Sequence, residues 1–189
     1  VSVSVSVSVS VSVSVRVSCV SVCQVRALRF VGRVAPGLEV SADGLVLTRV
    51  GEEGSPAAWR GAIMEYLVDT AGNGCYAEWV VEEAGACGHI MIGVTGIEQP
   101  PEDSGVCTSP ASSMFYCHDG RCWPGNREWG APAASRVKGD RVGLWARQGR
   151  LEVFVNGKRV GSGPMVSEGL PAKVRFAVDL CRPGLCVRI

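Results

Sequence analysis

KGDRVGLWARQGRLEVFVNGKRVGSG, residues 138–163, is the stretch whose reading decides the fold. Gly139-Asp140 precedes one strand, the polar turn Arg147-Gln148-Gly149 separates it from a second, and Asn156-Gly157 precedes a third. Val142 and Leu144, then Leu151, Val153 and Val155, take alternating positions, the period of strands with one face buried. Asn-Gly is a strong hairpin signal, because both residues tolerate the positive φ of a primed turn.

Moving outward, short apolar runs recur with turn residues between them. Leu38-Glu39-Val40 and Leu45-Val46-Leu47 flank Ala42-Asp43-Gly44, residues 76–81 form a strand, and residues 89–94 are apolar enough for burial on both faces. Residues 97–113 carry three prolines and no period, and read as a long surface loop. Met114 to Cys117 and Arg121 to Trp123 make a short pair around Asp119-Gly120, residues 124–138 a second loop, and residues 174–180 and 185–189 closing strands. No window has helical periodicity with caps at both ends. The expectation is an all-β chain folded as a two-sheet antiparallel β-sandwich.

Residues 1–17 differ in kind: Val and Ser alternate almost without exception, broken only by Arg16. Such a repeat suits a strand but has no unique register, since sliding by two residues changes nothing. Residues 1–23 are therefore read as a low-complexity N-terminal extension and 24–189 as the sandwich domain.

The chain of 189 residues is 47% hydrophobic and 20% charged, enough for one core and a solvated surface, and its formal charge is +1. That balance offers no basic excess for phosphate backbones or anionic lipid, so neither nucleic acid nor membrane is an expected partner. No run is long and apolar enough to span a bilayer as a helix. Nine cysteines are an odd number with no visible signal peptide, which favours reduced thiols and an intracellular, cytoplasmic setting. Cys117, His118 and Cys122, with Cys87 and His89, lack the paired two-ligand clusters of structural zinc, and no metal site is expected.

The opening segment resembles the closing strands of the SPRY domain family. The resemblance extends over most of residues 41–189: YAEWVV at 76–81, HIMIGV at 89–94, MFYCHDGRCW at 114–123, then Gly139-Asp140, Val142-Gly143 and Phe154-Val155-Asn156-Gly157 follow in the family's order. VRFAVDLCRPGLCVRI at 174–189 and GVTGIEQP at 93–100 are also similar to the Neuralized-type repeat, a related sandwich of ubiquitin-ligase proteins. The match fades before Trp59. The resemblance implies a concanavalin-like jelly roll that works as a non-catalytic protein- or peptide-recognition module, such as the partner-selecting part of a ubiquitin ligase.

In a sandwich the strands are committed to the core, so binding falls to the loops. Side chains that strand periodicity does not explain are Trp59, Arg60, Glu98, Glu102, Asp103, Arg127 and Trp129. They are the candidate partner-binding residues, Trp and Arg being the types most enriched at interface hot spots. Trp79, Trp123 and Trp145 fall within strand patterns and are expected in the core, Phe154 is a test of core burial, Asp140 should tie down turn amides, and Asp179 needs Arg175 or a backbone donor. No nucleophile motif, glycine-rich phosphate loop or cofactor fingerprint is present, so neither catalysis nor a cofactor is expected. Two other readings are a lectin-like carbohydrate-binding sandwich and a structural protein that self-assembles through the Val-Ser arm.

Overall fold

A computed structural model describes residues 28–30, 33–51, 58–84, 89–124, 127–128, 138–160 and 170–189. The Val-Ser extension, Cys87 and Trp129 lie outside the described residues. Among the described residues thirteen strands run in chain order as β1 (Leu38–Val40), β2 (Val46–Arg49), β3 (Arg60–Asp69), β4 (Cys75–Glu83), β5 (Ile90–Thr95), β6 (Ser112–Tyr116), β7 (Arg121–Trp123), β8 (Arg127–Glu128), β9 (Arg141–Arg147), β10 (Arg150–Val155), β11 (Lys158–Arg159), β12 (Lys173–Leu180) and β13 (Cys186–Arg188). The one described helical element is a 3-10 turn, Val106–Thr108. The strands form two antiparallel sheets, a seven-stranded one ordered β1-β2-β13-β4-β9-β10-β11 and a six-stranded one ordered β3-β12-β5-β6-β7-β8. The two-sheet sandwich expected from turn spacing is the fold.

Local chemistry explains the hairpins. Gln148-Gly149 and Asn156-Gly157 both have φ near the left-handed region, at 50° and 66°, then 51° and 76°. Each is a two-residue loop joining β9 to β10 and β10 to β11, matching the right-handed twist of the strands. Asn156 also binds the turn at the other end of β9. Its Oδ1 accepts from Arg141 N at 2.9 Å, and its Nδ2 donates to Asp140 Oδ1 at 2.9 Å. Asp140 thus anchors a side-chain amide across the sheet.

Packing follows the alternation. Cys75, Ala77, Trp79 and Val81 of β4, and Leu151, Val153 and Val155 of β10, point into the main core. Trp79 is fully buried and meets Phe176 edge-on, ring centroids 5.5 Å apart. The same period puts Trp145 and Phe154 on the opposite face, correcting their expected place in the core. Trp145 lies under the Arg147 guanidinium, 3.5 Å from its ring centroid, and donates to the Asn73 carbonyl at 3.3 Å. Phe154 packs edge-on against Tyr76 at 5.9 Å. Of the described cysteines 75, 107, 117, 122, 181 and 186, all but Cys186 are buried.

Candidate functional site

Every residue of β5 is buried, because both faces of the six-stranded sheet are covered. One face packs on the main core; the other carries a second apolar cluster of Ile63, Met91, Met114 and Ala177 with Val106 and Cys107. The latter two come from the segment after β5, which crosses back over the sheet. Its anchor is Asp179, fully buried on β12, whose two oxygens accept from Val106 N at 2.9 Å and Cys107 N at 2.8 Å. Burial pushes that carboxyl up from its ordinary value while the two amides pull it back. The Cys107 thiol is pushed far up by burial and by the Asp179 charge, so it is no thiolate nucleophile. Gly61 and Gly105 leave the space this needs. A Cβ on Gly61 would stand 2.5 Å from Val106 Cγ2 and 2.6 Å from Asp179 Oδ1, and one on Gly105 would stand 2.8 Å from Trp59 Cβ. The segment at 97–113, expected to be a surface loop, is therefore a strap buried at residues 105–107, and residues 112–113 belong to β6.

Beside Gly105, in the middle of the strap, four half-buried rings gather. Trp59, just before β3, meets His89 edge-on at 6.4 Å and Tyr116 at 5.7 Å. Tyr116 stacks on His89 at 5.9 Å, its hydroxyl bonded to His89 Nδ1, and His118 lies 5.4 Å from His89 and 5.6 Å from Tyr116. Register makes this cluster. Leu180 of β12 pairs with both Arg60 and Ile90, and Met91 pairs with Tyr116, so the start of β3, the start of β5 and the end of β6 share one end of the sheet. Burial, then the His118 and Arg182 charges, hold His89 below the ordinary imidazole value, which keeps it neutral near pH 7.

Of the residues singled out in the sequence, Trp59 and Arg60 sit in this site, and Arg60 Nη1 donates to the Trp59 carbonyl at 3.0 Å. Glu98, Glu102 and Asp103 are exposed on the strap. Glu98 stands beyond the far end of β5, where its carbonyl accepts from Arg33 Nη1 at 2.8 Å, so the structure separates it from Trp59. Arg127 lies on β8, the edge strand paired with β7. Trp123 is half-buried against the second cluster, outside the main core. His89, Tyr116 and His118 were missed as site residues; the spacing of two between Tyr116 and His118 at a strand end, which puts both on one face, was the available signal. Cys117, between them, points into the main core, and among the described residues no three His, Cys, Asp or Glu side chains converge as metal ligands.

No protein-family model and no curated protein sequence matches the chain. Solved structures do. The human SPRY domain matches with a TM-score of 0.62 at 23% identity, over 80% of this chain and 93% of that one. The SPRY domain of human HERC1 matches with a TM-score of 0.55 at 16% identity, over 80% and 90%. The NEUZ (NHR) domain in Neuralized from Drosophila melanogaster matches with a TM-score of 0.57 at 10% identity, over 89% and 94%. The chain has the SPRY-like fold that the sequence resemblance implied, with the Neuralized domain as a structural neighbour.

Proposed function

We propose that this chain is a non-catalytic protein- or peptide-recognition module, the partner-selecting part of a larger intracellular assembly such as a ubiquitin ligase. The observation that carries the reading is the half-buried cluster of Trp59, His89, Tyr116 and His118 at one end of the six-stranded sheet. Rings held against one another lose little freedom on binding and offer large amphipathic contact area. The likeness in fold to SPRY domains supports the same reading. On it, the partner rests on Trp59 and Arg60, with Glu102 and Asp103 of the strap and Arg127 of β8 at the margins, and Trp129 is a further contact on sequence grounds alone. A domain built in this way runs from residue 24, with residues 1–23 outside the recognition unit.

The test is capture of bound proteins by the intact chain, followed by affinity measurement against Trp59→Ala. Loss of about 1–3 kcal/mol of binding, the range for an anchor, is the expected result. A partner held equally well by parent and variant would refute this surface.

A further inference from the structure

Positive charge collects beside the aromatic cluster, and no carboxylate among the described residues answers it. β12 delivers Cys181 and Arg182 between Trp59-Arg60 on one side and His89 on the other. Backbone bonds lock them there, from Cys181 N to the His89 carbonyl at 3.2 Å and from Ala58 N to the Cys181 carbonyl at 3.1 Å. Arg49 joins from the other sheet: its amide donates to the Leu185 carbonyl at 2.9 Å, and its carbonyl accepts from Gly184 N at 2.9 Å. Among the described residues no carboxylate pairs with Arg49, Arg60 or Arg182, whereas Arg141, Arg147 and Arg188 each hold a glutamate. The charges lie within reach of one another. Burial and then Arg60 lower Arg49, and Arg182 and Arg49 both act on the buried Cys181 thiol.

Like charges gathered with no counter-ion among the described residues repel one another, and an incoming carboxylate relieves them through short, charge-assisted hydrogen bonds. We propose that this corner takes the carboxylate side chain of an acidic linear segment in a partner protein, seated beside an apolar residue on Trp59 and Tyr116. The proposal rests on the recognition reading above and names the chemistry that the same site selects. Donor supply favours a carboxylate over a phosphate. Arg49 Nη1 is already committed to the Gly37 and Val50 carbonyls, and Arg60 Nη1 to the Trp59 carbonyl. Each guanidinium then has a reduced set of donors left, which suits two oxygens better than a three-oxygen dianion. Exposed Glu102 and Asp103 on the strap repel the same acid, so the segment has one favoured direction.

The experiment selects random twelve-residue displayed peptides on the full chain, keeping those whose binding is lost with Trp59→Ala. Asp or Glu should be enriched beside an apolar residue, and its change to Asn or Gln should weaken binding by about tenfold or more, as for loss of a hydrogen bond to a charged group. Arg182 is exposed, so Arg182→Glu should keep the melting temperature, lose a similar factor, and regain it with a peptide bearing Lys in place of the acid. Trp59-dependent peptides without an acid, or indifferent to Arg182→Glu, refute the carboxylate corner and leave the recognition surface standing. A phosphoserine peptide bound more than about tenfold tighter than its Glu counterpart overturns the carboxylate in favour of phosphate. If no peptide depends on Trp59, the recognition reading fails and this proposal with it.

Discussion

Asn156 shows how much one side chain can carry when a turn needs positive φ. Alanine there would be strained in the left-handed region and would release both Arg141 N and Asp140. Asn156→Ala should lower unfolding stability by about 1–2 kcal/mol, and Asn156→Gly should recover the backbone part only; denaturant midpoints of the two variants separate the contributions. Tyr76 gives a pH dependence. Burial first, and then its bond to Glu78 at 3.0 Å, push the phenol from 10.0 up to about 12. The unfolded phenol loses its proton first, so between those values the folded state holds more protons and stability falls as pH rises. Denaturant midpoints from pH 9 upward should drop less steeply in Tyr76→Phe than in the parent. Equal slopes would show that the ring titrates as an exposed phenol. Residues such as Asn156 were legible in the sequence because their work is local. Trp145 was misplaced for the opposite reason: its residue type suggested core, while the parity of its neighbours Val142, Leu144 and Ala146 had already put it outside.

Among the elements, the strap from β5 to β6 was the least legible. Its proline content and missing period describe an exposed loop, and the contact that buries it joins Val106 to Asp179 across 73 positions. Nothing near residue 106 announces that partner. Only the expectation that Asp179 needed a donor pointed toward it. Gly61→Ala tests the strap without removing any polar group, since the added methyl meets Val106 and Asp179 inside ordinary contact distance. The expected outcome is a loss of about 1–3 kcal/mol, with faster hydrogen exchange at the Val106 and Cys107 amides. Unchanged exchange there would mean that the sheet absorbs the methyl and the strap stays docked. The binding cluster was half legible for a related reason. Trp59 stood out by type, but His89 and Tyr116 met it only through the pairings of β12 with β3 and β5 and of β5 with β6, which no single strand pattern encodes.

For the molecule as a whole, the chain is packed into the sandwich from the first described residues onward. Leu28 and Phe30 are buried at 7% and 1% exposure, and Phe30 N bonds the Gly44 carbonyl at 2.8 Å. Deleting residues 1–23 should leave the melting temperature nearly unchanged, whereas Phe30→Ala should cost about 3–5 kcal/mol. A fall of several degrees on deletion would show that the extension pairs with the domain. The two-sheet architecture was legible because many short runs with turns between them admit few other solutions, but strand order was not, since it joins segments far apart in the chain. One such junction sets a timetable for synthesis. β13 lies between β2 and β4 and pairs with both, so the first hairpin reaches its sheet only through a strand made after the other twelve described strands. On the ribosome, β2 and β4 wait with open edges until Cys186–Arg188 emerges, and that interval is when the nascent chain is most exposed to pairing with a neighbour.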